Sequence, residues 1–74
     1  MKEYKGTIRV VDNSIYIINS VSNRLVKVPN CCKCLYDVNG DNTVVSGEVY
    51  RDTFKSWDNH YFELIENRKL VFRK

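Results

Sequence analysis

The three cysteines of the chain fall within four positions, Cys31-Cys32-Lys33-Cys34. Thiolates this close together, with His60 as a fourth ligand, have the donor chemistry of a soft-metal site. Zinc sites, however, take two ligands from a C-x2-C knuckle and two from a second cluster. Here the spacing is CC-x-C and there is no further cysteine. The expectation is therefore reduced thiols, no metal and no cofactor. Lys33 carries a charge that lowers a neighbouring thiol's pKa, but free Cys also serves as a small buried hydrophobe. His60 is the only histidine, and its ordinary pKa alone lies near neutrality. Asp58 and Glu63 flank it, yet no Ser or Cys stands in a nucleophile motif and nothing marks a partner that would orient a general base. Gly6, Gly40 and Gly47 are scattered and form no phosphate-cradling loop. With no catalytic set, the chain is expected not to be an enzyme.

Binding chemistry is better represented. The chain has nine aromatic residues in 74. A chain of this mass folds to roughly 4,700 Å² of surface and buries about 60% of what it exposes unfolded. So small a core cannot hide every ring, and surface Tyr and Trp favour interfaces. Tyr36, Trp57 and Tyr61 are the candidate contact residues. Tyr4, Tyr16 and Tyr36 with Lys5, Arg9 and Lys27 have the composition of a stacking platform for single-stranded nucleic acid. The net charge of +3 is unevenly spread. Residues 1–37 hold six Lys/Arg against three acids, and residues 38–74 hold six against six. A basic patch of Lys2, Lys5, Arg9, Arg24, Lys27 and Lys33 is allowed, but a dedicated nucleic-acid stripe is more lopsided. Nothing in the sequence has the pattern of a signal peptide or membrane span. A cytoplasmic location follows as the expectation, where thiols stay reduced.

These residues must be positioned by short elements, and the pattern predicts mostly strands in a single domain spanning 1–74. Asp12-Asn13-Ser14, Ser22-Asn23, Asn39-Gly40-Asp41-Asn42 and Asn67-Arg68 read as turns, since Asn, Asp and Gly tolerate left-handed backbone. Tyr4–Val11, Ile15–Val21 and Arg24–Val28 form a three-strand meander, which Pro29 ends for want of an amide donor. Asn30–Val38 reads as a helix: Cys31, Cys34, Leu35 and Val38 recur at i, i+3, i+4 and i+7. That helix would turn Cys31 and Cys34 to the core. Thr43–Arg51 is a strand with Val45 and Val49 on one side. Phe54, Trp57, Tyr61, Leu64 and Ile65 fit a helical stripe over Asp52–Ile65, but Asp58-Asn59-His60 are poor helix formers. The favoured reading is a short helical turn at Asp52–Trp57 followed by a hairpin of His60–Glu66 with Lys69–Arg73. The expected fold is α+β, a twisted antiparallel sheet of five or six strands with one or two short helices. The alternative is a small SH3-like or OB-like barrel.

The segment Asn67-Arg68-Lys69-Leu70-Val71-Phe72 resembles the Gln-x-x-Leu-x-Phe peptides that dock into bacterial replication sliding clamps. Leu70 and Phe72 match the two anchors, and Asn67 stands where Gln is usual. In size, in its richness in Asn, Lys, Tyr, Ile and Val, and in lacking a catalytic set, the chain looks like early host-takeover proteins of phages of low-GC bacteria. That resemblance implies a non-enzymatic inhibitor of a host DNA-replication protein such as the clamp, with Leu70 and Phe72 added to the contact residues. Alternation along a C-terminal strand instead gives both residues to the core. The small core and abundant Tyr and β-branched residues point to a homodimer, with open sheet edges as pairing surfaces. The alternative function is a small single-stranded nucleic-acid-binding β domain.

Overall fold

The computed structural model describes residues 2–30 and 32–73. Eight strands form one antiparallel sheet: β1 (Glu3–Val11), β2 (Ser14–Asn19), β3 (Leu25–Lys27), β4 (Lys33–Asp37), β5 (Val44–Tyr50), β6 (Thr53–Ser56), β7 (Tyr61–Glu63) and β8 (Lys69–Arg73). Their order across the sheet is β3-β2-β1-β8-β4-β5-β6-β7. Two meanders, β1–β3 and β4–β7, are thus joined by the last strand, which pairs with β1 on one side and β4 on the other.

The α+β expectation is corrected: there is no helix among the described residues, and eight strands replace five or six. The small-barrel alternative is the closer description. Between Asn30 and Val38 the chain is strand β4, with Cys34 and Tyr36 buried and Lys33 and Leu35 facing out. Period two therefore wins over period 3.6. The helical stripe of Cys34, Leu35 and Val38 was a coincidence of apolar residues on both faces of a strand. Cys31, the other member of that stripe, lies outside the described residues. Asp52–Trp57 is likewise a tight turn followed by β6 rather than a helical turn. The hairpin expected between His60–Glu66 and Lys69–Arg73 does not form, because β7 pairs with β6 and β8 leaves it to pair elsewhere.

Alternation gives the sheet one apolar face. Ile8, Ile15, Ile17, Cys34, Tyr36, Val49, Phe54, Leu70 and Phe72 make one buried cluster, closed off by Val28 and Leu64. No second layer covers that face, so the sheet must curl over it. The dimensions agree. Eight flat strands would make a slab roughly 34 Å wide and 10 Å thick, whereas the molecule measures 32 × 25 × 25 Å. Tyr36 bridges the curl: its hydroxyl donates to the Glu63 carbonyl (2.8 Å) and accepts from the Ile65 amide (3.0 Å).

Two inward-facing glycines permit the curvature. A Cβ on Gly47 would strike the Phe54 ring at 2.7 Å and Ser56 Cα at 2.8 Å, and one on Gly6 would meet the Ile18 carbonyl. The turns are fixed by left-handed residues at the expected Asn and Asp positions, including Asp12 (φ 50°), Asn13 (65°), Asn23 (58°), Asn42 (69°) and Asn67 (71°). The β4–β5 turn has a further lock. Asp37, itself buried, accepts from the amides of Gly40 (2.9 Å) and Asn42 (3.2 Å).

Candidate functional site

Two groups carry reactive chemistry, one buried and one mostly exposed, and the geometry disarms both. Cys34 is buried and its thiol donates to the Cys32 carbonyl at 3.1 Å. Burial first, then the neighbouring Cys32, pushes the Cys34 pKa up to about 12. A thiol held protonated is neither nucleophile nor ligand. Half-buried Cys32 donates to the Arg73 carbonyl (2.9 Å), and Lys33 points outward. Among the described residues no three His, Cys, Asp or Glu side chains come together as a metal site.

Ser56, Asp58 and His60 form the second group, and residue type alone would flag it as a hydrolytic triad. The order of contacts is wrong for that role. The Ser56 hydroxyl donates to Asp58, and the same carboxylate meets His60 Nδ1 at 3.2 Å. Asp58 thus sits between the other two, whereas an activated serine needs the imidazole as its base. Ser56 is also 1% exposed and receives the His60 backbone amide at 3.1 Å. The cluster is a turn lock between β6 and β7. The Ser56 hydrogen bond holds the Asp58 carboxyl below the usual carboxylate range, outweighing the opposing desolvation, and nearby His60 adds to the lowering.

The outer face of the sheet is where binding groups collect. Register aligns Lys33, Glu48, Lys55 and Tyr61 in one row across β4–β7. A parallel row runs Lys5, Val71, Leu35 and Ser46. Trp57 continues it, its backbone amide donating to the Ser46 carbonyl (3.3 Å). Tyr50 and Val44 share this face at the two ends of β5, as every second residue of a strand must. Trp57 (55% exposed), Tyr61 (68%), Tyr50 (53%), Val44 (56%) and Leu35 (40%) therefore present apolar surface on one side of the barrel. Glu48, Tyr50, Lys55 and Tyr61 line a depression of about 290 Å³ there, and Leu35, Ser46 and Val71 line a neighbouring one of about 220 Å³.

The five contact residues expected from sequence separate cleanly. Trp57 and Tyr61 lie on this face. Tyr36 (0% exposed), Leu70 (0%) and Phe72 (1%) are interior, which corrects their assignment as contacts. Tyr36 packs its ring on Phe54 (centroids 5.2 Å apart), and Phe72 stacks on Tyr4 (5.0 Å). Leu70 and Phe72 belong to a central strand with both neighbours in place, so the clamp-like hexapeptide is not free to dock. The stacking platform is reduced: Tyr4 and Tyr36 pack on or within the core, leaving Tyr16 between Arg9 and Lys27. Tyr50 and Leu35 join this face without having stood out in the sequence. The signal for Tyr50 was available, since Val45 and Val49 inward put Tyr50 outward. Leu35 was concealed by the helical reading. No protein family, curated protein or solved structure matches the chain.

Proposed function

We propose that the chain is a non-enzymatic protein-binding module that engages its partner with the outer face of β4–β7. The observation carrying this reading is the gathering of Trp57, Tyr61, Tyr50, Val44 and Leu35 on one sheet face, all well exposed. Exposed aromatics on one face, interleaved here with the Lys33–Glu48–Lys55 row, are the composition of an interface rather than of ordinary surface. The two reactive groups that would favour an enzyme are a protonated buried thiol and a turn lock. A host DNA-replication protein remains the partner class proposed, on size and composition, with the cytoplasm as compartment. The hexapeptide no longer supports the clamp in particular, because its anchors are interior. No helix among the described residues is long and apolar enough to cross a membrane.

The test is a capture experiment from bacterial lysate with mass spectrometry, using wild type and a Trp57→Ala/Tyr61→Ala pair. Wild type is expected to retain one stoichiometric protein, and the variant, with an unchanged melting curve, to lose it. Retention of the same protein by the variant would overturn the assignment of the face. Capture of nucleic acid alone, lost on nuclease treatment, would overturn the protein-binding reading.

A further inference from the structure

A second surface, sharing none of these residues, gathers cations that form no ion pair among the described residues, with Asp12 and Asp52 as the adjoining acids in sequence. Register places Arg9, Tyr16 and Lys27 side by side across β1, β2 and β3. Where this row meets the end of the barrel there is a cleft of about 290 Å³. Lys27 and Arg51 line it, together with the neutral polar groups of Asn13, Ser14 and Asn30. No carboxylate lines it. The ion pairs found among the described residues use Lys5, Arg73 and His60, and none involves Arg9, Lys27 or Arg51. The nearest acid in the Arg51 turn, Asp52, is engaged by the Thr53 hydroxyl at 3.3 Å.

The backbone at the cleft is also unusual. Arg51 opens the tight β5–β6 turn with φ 59°. Elsewhere among the described residues that conformation is taken by Asn, Asp or Gly. It is held here by Asn30, whose Oδ1 accepts the Arg51 amide at 3.0 Å. Arg51 lies over the Tyr50 ring, 5.6 Å from its centroid. A long cation is thus kept at a position that favours glycine.

The geometry points to a site for the backbone of a single-stranded nucleic acid. Phosphate oxygens would lie in the cleft between Lys27 and Arg51, with Asn and Ser donors as neutral partners. Arg9 extends the charge along the sheet, and Tyr16 offers a base the one aromatic ring in the row. Cations outside any ion pair, with amide and hydroxyl donors and no carboxylate among the described residues lining the cleft, complement a polyphosphate chain better than a mixed-charge protein surface.

The test is fluorescence anisotropy of a labelled oligothymidylate of about twelve nucleotides, a length within one small-barrel binding site. Three phosphates neutralised on a single strand give a log–log salt slope of about −2, hence roughly 20-fold weaker binding from about 50 to about 200 mM salt. In Lys27→Gln/Arg51→Gln the slope is expected to fall to about −0.7, with affinity at low salt at least ~10-fold lower. Tyr16→Ala is expected to weaken binding about 5-fold or more through lost stacking. Melting curves on the same samples control for folding. No anisotropy change at low salt would overturn the site. An unaltered titration with the folded double variant would do the same. Equal displacement by poly-glutamate would show a general acidic-protein surface and also overturn it.

Discussion

At the scale of single residues, the fold separates two kinds of aromatic that look alike in sequence. Phe72 and Trp57 are both large, apolar and near charged neighbours, yet Phe72 is enclosed and Trp57 is open. Phe72→Ala is therefore expected to cost roughly 3–5 kcal/mol of stability, as large-to-small core changes do. Trp57→Ala should barely move the melting midpoint while weakening the partner complex by ~2 kcal/mol or more. Melting and affinity measured on both variants check the pair, and the reverse pattern would exchange their roles. Tyr36→Phe tests the bridge across the curl. It leaves the Glu63 carbonyl and Ile65 amide without their partner, at roughly 1–3 kcal/mol for a buried unsatisfied group. Arg51 makes the opposite case. A left-handed non-glycine residue costs about 1–2 kcal/mol, so Arg51→Gly is expected to stabilise the fold by about 1 kcal/mol. A drop in melting temperature would show that the contact with Tyr50 outweighs the strain.

At the scale of elements, what sequence could disclose depended on whether a segment obeyed one period. The first meander was legible from its β-branched runs between Asn- and Asp-bearing turns, though the runs did not resolve which residues are interior: Ile8, Ile15, Ile17 and Val28 are buried, whereas Val10, beside Ile8 in the pattern, is exposed. Strand β5 was legible for the same reason. Strand β4 was not, because Cys34 and Tyr36 fill the core while Leu35 between them faces solvent, so the apolar pattern fits either period. The pairing of β8 was hidden for a different reason. Nothing local specifies that Lys69–Arg73 joins β1, more than fifty residues earlier, rather than nearby β7. That choice is made by burial: Leu70 and Phe72 complete the interior only between β1 and β4. Of the binding face, Trp57 and Tyr61 were visible as unabsorbed aromatics, but the rows that unite them with Tyr50 and Leu35 exist only once strand order is known. Turns carry the pH dependence. Hydrogen bonds to the Thr43 hydroxyl and amide lower the Asp41 pKa, and the Ser56 hydroxyl lowers that of Asp58. A depressed carboxyl pKa contributes stability above its unfolded value near 4 and loses it as pH falls through the folded value. Acid titration of the melting midpoint should thus show a decline below about pH 4, shallower in Asp41→Asn/Asp58→Asn. Parallel acid limbs would remove these two carboxylates from the explanation.

For the whole molecule, the question is how a single curled sheet meets other molecules. Its two open edges are β3 and β7, each of three residues. Short edges blunt strand-to-strand pairing, so the homodimer expected from the small core finds little purchase there. The outer face of β4–β7 offers more. Its apolar groups lie on both sides of the Lys33–Glu48–Lys55 row, which alternates in sign. A two-fold arrangement that opposes each copy's Glu48 to the other's lysines is self-complementary. Self-association is therefore expected to use the face proposed for the partner, so that dimer and partner complex would exclude each other. Trp57 reports on this directly, being the only tryptophan and more than half exposed. Raising the concentration should shift its emission to the blue as sedimentation equilibrium passes from monomer to dimer. Glu48→Lys should hold the chain as a monomer by setting three like charges in one row. A Glu48→Lys dimer as strong as wild type would assign self-association to another surface, and a wild-type monomer of 8.7 kDa at every concentration would remove it.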